Sequence, residues 1–221
     1  MTQQGKISFS YSIRWFTPIV IFYLALGSFL ILVSLFVESF DIPQNFYELS
    51  FSNPLTVFVA PFTGPLFDSF GSTFIMFVLL FVFLLLSYVD QGFQVWTGFR
   101  LAFCIIPIIS GVLASILYMI LMEQSGLILD GSRSSIIAAS LNGMLIVLAL
   151  VSSITNLKRR NTIDTAFSLV LLVVIALAYH LAFLDGGNIL AHLYGFFSGA
   201  LITTLYLFVV IGSRSGQFKL E

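Results

Sequence analysis

The chain has 221 residues, of which 59% are hydrophobic and only 9% are charged, and its formal net charge is −1. A soluble domain of ordinary composition carries about 25% charged residues, and the mean hydropathy of this chain is +1.07. The composition therefore excludes a soluble globular protein and indicates a polytopic membrane protein.

Six apolar runs are long enough to cross the hydrocarbon core of a bilayer, which needs roughly 20 helical residues. They cover residues 15–37, 69–88, 101–122, 134–154, 163–184 and 188–211. The predicted fold class is an all-α membrane protein, a six-helix bundle over residues 15–211 between short polar termini, 1–14 and 212–221. We expect an integral, multi-pass protein of a bacterial or archaeal cytoplasmic membrane.

The basic residues predict the orientation of the helices. All but Arg133 fall on one side of the six predicted spans, and these are Lys6, Arg14, Arg100, Lys158, Arg159, Arg160, Arg214 and Lys219. Because cytoplasmic loops carry the excess of Lys and Arg, both termini are predicted to be cytoplasmic. The cluster 158–160 is interpreted as a topology determinant that also contacts anionic lipid, and we expect no nucleic-acid partner.

The connection between the first two spans, residues 38–67, is unusual. It has prolines at 43, 54, 61 and 65, which forbid a spanning helix, yet residues 55–60 are apolar. One interpretation is a segment half-embedded against the bundle, since bare backbone cannot face lipid, and the other is an ordinary amphiphilic loop. Both interpretations place it on the outer side of the membrane.

The fourth and sixth spans both begin at the predicted outer face and carry a candidate nucleophile and base. The fourth opens at Ser132-Arg133-Ser134-Ser135, and the sixth has His192 about one turn after its start. A serine hydroxyl becomes an effective nucleophile when a histidine within hydrogen-bond reach accepts its proton. Small residues spaced by four follow on both helices and predict close packing between them. They are Ser135, Ala139 and Gly143 on the fourth span, and Gly195 and Gly199 on the sixth.

These motifs resemble the rhomboid family of intramembrane serine proteases. The sixth helix of that family carries His-x-x-Gly-x-x-x-Gly, matched by His192, Gly195 and Gly199, with Asn188 shortly before. Its Gly-x-Ser-Gly motif is approximated by residues 132–135, and Arg100 with Ser110-Gly111 matches its third helix. The resemblance implies a Ser-His dyad that cleaves transmembrane protein substrates within the lipid bilayer and needs no cofactor.

The chain departs from the family pattern where the oxyanion is normally held. Thr63, Asp68 and Ser72 stand at the positions of the family's two histidines and asparagine, which leaves Ser72 as a candidate oxyanion donor. The resemblance also leaves the nucleophile open between Ser134 and Ser135. We favour Ser134, which has small residues at both flanking motif positions. A catalytically inactive pseudoprotease that binds transmembrane segments is therefore the alternative function.

We expect no metal site. His180, near the end of the fifth span, has no Cys, Asp or Glu cluster with ligand spacing around it. An interfacial histidine that faces water is the simpler interpretation of this residue.

Overall fold

The computed structural model describes residues 9–43, 46, 49, 53–64, 66–89, 99–125, 135–158, 160–183 and 189–217. The regular elements of this part of the chain are all helical, as the sequence predicts. They are α1 (Phe9–Ser39), α2 (Thr56–Val59), a 3-10 turn (Ala60–Phe62), α3 (Leu66–Val89), α4 (Phe99–Ser125), α5 (Ser135–Lys158), α6 (Thr162–Phe183) and α7 (Ile189–Gln217).

Five of these helices, α1, α3, α4, α5 and α7, are long and apolar enough to cross a membrane. The described part of α6 contains a shorter apolar stretch, Thr162–Leu177. Lipid offers no hydrogen-bond partners to the backbone, and helices satisfy theirs internally. The chain is accordingly an all-α, multi-pass membrane protein.

α5 is the central helix of the bundle. It packs against α3, α4, α6 and α7, and every residue from 136 to 145 is buried. Three of its contacts to α6 are polar. The Asn142 side-chain amide donates to the Ile175 carbonyl at 3.2 Å, and the Ser152 and Ser168 hydroxyls lie 3.2 Å apart. The Asn156 amide donates to Ser168 at 3.5 Å.

The buried residues form two clusters. The main core cluster joins α1, α3, α4, α5, α6 and α7 and includes the stacked rings of Phe83 and Phe103, whose centroids are 4.1 Å apart. The second cluster consists of Leu49, Val57, Ala60, Ala114, Tyr118, Ile136 and Ala191. We call it the outer cluster after the side of the membrane that the sequence predicts for this end of the bundle. Because Leu49, Val57 and Ala60 precede α3, part of the connection 38–67 packs against the bundle, whereas Leu55 and Phe58 in the same segment are exposed.

The end of α1 is fixed by a backbone turn and by a side-chain hydrogen bond. α1 ends at Ser39, Asp41 follows with φ of 47°, and the Ile42 N–H donates to the Val37 carbonyl at 3.2 Å, the pattern of a Schellman cap. The Glu38 carboxylate accepts a 2.8 Å hydrogen bond from the Leu66 N–H, which ties the end of α1 to the start of α3. The Glu38 bond supplies an acceptor to an N–H of the first turn of α3, where intrahelical acceptors are lacking.

Candidate functional site

α5 and α7 pack backbone to backbone through glycines. A Cβ added to Gly143 would lie 2.0 Å from the Phe196 carbonyl oxygen, and one added to Gly199 would lie 2.0 Å from the Ser140 carbonyl oxygen. A Cβ on Gly195 would meet the Ile136 carbonyl oxygen at 2.8 Å. The structure thus places all three glycines of the predicted four-residue pattern in one contact between α5 and α7, which we call the glycine seam.

The order of contacts along the seam gives the relative direction of the two helices. Gly195 faces Ile136, and one turn further along both helices Gly199 faces Ser140. α5 and α7 therefore run parallel and in step. His192 precedes Gly195 by three residues and shares its helix face. At 1.5 Å of rise per residue, this places His192 within about one turn of Ser135, the first residue of α5, along the shared direction.

His192 is buried beside the outer cluster. Its side chain is 3% exposed, and the adjacent Ala191 is fully buried against the cluster that contains Ile136. Two residues further along α7, the Tyr194 ring lies 6.1 Å, centroid to centroid, from the ring of Tyr118, a member of the same cluster. His192 is thus buried next to a cluster that α4, α5, α7 and the connection before α3 all contribute to.

The candidate nucleophiles lie at the edge of the described residues. Ser134 falls outside them, and Ser135 is described as the first residue of α5 without its side chain. Asn188 lies outside as well, as do the side chains of Asp68 and His180. Of the two candidate nucleophiles, the structure therefore places the backbone of Ser135, at the start of α5.

Ser72, the candidate oxyanion donor, lies in the second turn of α3. It is 3% exposed and shares a face with Met76 and Leu79, which belong to the main core cluster. α3 packs against α1, α5 and α6, so Ser72 lies on a neighbour of the helix that begins at Ser135. Thr63, another position of the family's oxyanion motif, is buried, and its hydroxyl lies 3.4 Å from the carbonyl oxygens of Val59 and Ala60.

One wall of this region was not predicted. Gly111 on α4 leaves room for two neighbours, since an added Cβ would lie 3.2 Å from Ile137 and 3.7 Å from Pro61. Together with Ala114 and Tyr118 it brings α4 against the first turn of α5. The spacing of these small and aromatic residues by three and four is visible in the sequence. It predicts a packed helix face without indicating which helix will cover it.

Of the residues that carry the rhomboid resemblance, Gly111 on α4 and Gly195 on α7 lie against the start of α5. Gly111 contacts the first turn of α5, and Gly195 does so from the opposite helix. The arrangement brings together buried His192, the start of α5 and the packed segment 56–62. No protein-family model, no curated protein and no solved structure matches the chain, so the site is interpreted from its own residues.

Proposed function

We propose that the protein is a rhomboid-like intramembrane serine protease in which Ser134, with Ser135 as the alternative, is the nucleophile and His192 is the base. The observation that carries this proposal is the glycine seam. The parallel register of the seam supports it, because buried His192 lies within about one turn of Ser135 along the two helices. In this proposal the chain forms a six-helix bundle with both termini in the cytoplasm, and α6 is the sixth spanning helix.

The proposed reaction needs only the dyad and donors for the oxyanion. The serine oxygen attacks the scissile carbonyl while His192 accepts the hydroxyl proton, and the same imidazole then protonates the departing amine as the C–N bond breaks. Water attacks the resulting ester, gives a proton to His192 and releases the acid, and the proton returns to the serine. No third carboxylate takes part.

Two kinds of donor are available for the oxyanion. The first N–H groups of α5 have no intrahelical acceptor, and a helix start favours negative charge. Ser72 is the side-chain candidate, in place of the family's histidine and asparagine donors. Loss of one such donor typically costs about 10²–10³ in turnover, so we expect slow cleavage.

The substrates in this proposal are transmembrane segments that enter from lipid. A peptide bond inside a regular helix is shielded and hydrogen-bonded, so the segment must unwind near its outer end before the serine can reach the carbonyl. The outer position of the proposed site fits this requirement, because the water needed for hydrolysis is available there.

A pseudoprotease that binds transmembrane segments without cleavage is the second candidate. It is favoured by Thr63, whose hydroxyl points at carbonyl oxygens of its own segment, 3.4 Å away, where the family carries a donor to the oxyanion. A protein of this kind would keep the glycine seam and the bound segment but not the activated serine.

Fluorophosphonate labelling followed by mass spectrometry separates the two candidates. We expect one adduct on the wild type that maps to Ser134 and is lost in Ser134→Ala and His192→Ala. The matched control is Ser140→Ala, because Ser140 is a buried serine of the same helix whose hydroxyl bonds the Ile136 carbonyl at 2.9 Å. This variant should label like the wild type.

An adduct on Ser135 would identify Ser135 as the nucleophile and would still support the protease proposal. A folded wild type without any adduct contradicts the protease proposal. Capture of a photo-crosslinkable transmembrane peptide by the same unlabelled protein would then support the pseudoprotease.

A further inference from the structure

α4 belongs to both core clusters, and the boundary between them falls at a proline. Phe103 and Ile106 are in the main core cluster, whereas Ala114 and Tyr118 are in the outer cluster. Pro107 lies between the two pairs, in the interior of the helix. The half of α4 beyond Pro107 thus packs with the surroundings of His192, and the half before it packs with α1 and α3.

Pro107 removes one hydrogen bond from α4, and α1 replaces it. Proline has no N–H, so the carbonyl four residues earlier, that of Phe103, loses its intrahelical donor. The Tyr23 hydroxyl donates to this same carbonyl at 3.0 Å. Tyr23 is 1% exposed, and its ring lies edge-on to the Phe103 ring with centroids 6.0 Å apart. Lipid has no donor to offer, so a neighbouring helix must supply one.

The residues just after Pro107 supply no described side-chain hydrogen bond that would compensate for the one lost at the proline. The Ser110 hydroxyl is buried and has no hydrogen-bond partner among the residues that the structure describes. Gly111 follows, and it makes close apolar contacts with Ile137 and Pro61. Proline and serine–glycine pairs are the usual causes of helix kinks. The Tyr23 hydroxyl thus supplies, across helices, the hydrogen bond that α4 lacks at Pro107.

We propose that Tyr23 is a positioning residue that sets the angle between the two halves of α4 at Pro107, here called its bend, and so sets where the outer cluster lies beside His192. Without the hydroxyl, the Phe103 carbonyl is left buried without a donor, and α4 relieves this by changing its bend. Ala114 and Tyr118 then move against Ile136 and Ala191. The consequence for catalysis rests on the proposed function, whereas the change of bend does not.

Distances between spin labels in nanodiscs test the bend directly, in a Cys104→Ala background. One pair joins Leu121, on the second half of α4, to Phe81 on α3; the control pair joins Leu101, on the first half, to Phe81. All three side chains are exposed, at 40%, 69% and 60% for Leu121, Leu101 and Phe81. In Tyr23→Phe we expect the Leu121 distance to shift by about 2 Å, a typical helix displacement, and the Leu101 distance to stay unchanged.

A second variant makes the test specific for the proline. Pro107→Ala returns an N–H to the Phe103 carbonyl. The double variant Tyr23→Phe/Pro107→Ala should therefore have the same Leu121 distance as Pro107→Ala alone. Two unchanged distances in the single variant Tyr23→Phe overturn the proposal, as does an equal shift of both pairs, which indicates general loosening of α4. These readouts hold whether or not the protein labels with a fluorophosphonate. If the wild type labels, the rate should fall several-fold in Tyr23→Phe and recover in the double variant.

Discussion

Gly199 and Ser140 approach so closely that the Cβ of any other residue at position 199 would lie 2.0 Å from the Ser140 carbonyl oxygen. The obstacle is backbone of a buried helix, which has no rotamer that can move aside. Membrane helices gain no hydrophobic energy by associating, so close contact of this kind supplies much of their attraction. The spacing of α5 and α7, and with it the position of His192, therefore requires that position 199 carry no Cβ, as do positions 143 and 195.

Gly199→Ala should destabilise the folded protein strongly. Overpacking of a tight contact commonly costs about 1–3 kcal/mol, and here no side chain can yield. The matched control is Gly71→Ala on α3, where an added Cβ meets nothing within 4 Å. That variant should be neutral or more stable, because alanine favours a helix over glycine by about 1 kcal/mol. Reversible unfolding in mixed micelles gives the free energy of unfolding of both variants. Equal losses of stability would contradict the close contact at Gly199.

In a second close contact, between α1 and α3, a substitution on one helix should compensate for a substitution on the other. A Cβ on Gly27 would lie 2.5 Å from the Thr73 methyl carbon and 3.3 Å from its hydroxyl oxygen. Gly27→Ala should therefore lower the free energy of unfolding. Adding Thr73→Ser should restore most of the loss, because serine lacks the methyl group but retains the hydroxyl that donates to the Ser69 carbonyl at 2.7 Å.

Unfolding of the four proteins of this double-mutant cycle gives the coupling energy, which we expect to be positive for these two residues. Additive losses in the double variant would show that the added Cβ at Gly27 meets some other obstacle.

The turn between α5 and α6 offers a stabilising substitution. Arg160 has φ of 57°, in the left-handed region that favours glycine, and the next N–H, of Asn161, donates to the Asn156 carbonyl at 3.0 Å. Arg160→Gly and Arg160→Ala lose the same charge, so their difference isolates the backbone term. We expect the glycine variant to be more stable by about 1 kcal/mol, the usual cost of a left-handed conformation for a residue with a Cβ. Equal free energies of unfolding for the glycine and alanine variants would contradict this explanation.

The sequence predicts the helices well because bilayer thickness and apolar run length determine them. The predicted span 163–184 corresponds to α6, Thr162–Phe183, and most other observed helices extend a few residues beyond the apolar run. The small residues of the glycine seam could be predicted from the sequence for a related reason, because four-residue spacing places them on one face of a helix. Both inferences depend on local pattern only.

The outer segment and α4 were harder to predict because their structure depends on distant partners. α2 has four residues, and its burial comes from Ala114, Tyr118 and Ile136, which follow it by more than 50 positions. Pro107 is visible in the sequence, but nothing local indicates that Tyr23 supplies the missing donor. Contacts between distant residues are decided by packing of the whole bundle, which hydropathy does not encode.

The polar contact between Asn142 and α6 should contribute little stability and yet be intolerant of charge. The Asn142 amide donates to the Ile175 carbonyl at 3.2 Å, while its Oδ1 is buried without a hydrogen-bond partner among the described residues. Hydrogen bonds between membrane helices average about 0.6 kcal/mol, and Asn142→Leu also removes the unsatisfied oxygen. We therefore expect Asn142→Leu to change the free energy of unfolding by less than about 1 kcal/mol.

Asn142→Asp keeps the size of the side chain but replaces the donor with a second oxygen that faces the Ile175 carbonyl. A carboxyl group buried at 1% exposure must either bear a charge in an apolar core or be protonated, and both states cost more than the amide. The aspartate variant should consequently unfold far more easily than the leucine variant in the same micelles. A leucine variant that loses as much stability as the aspartate variant would show that the Asn142 bond is a principal link between α5 and α6.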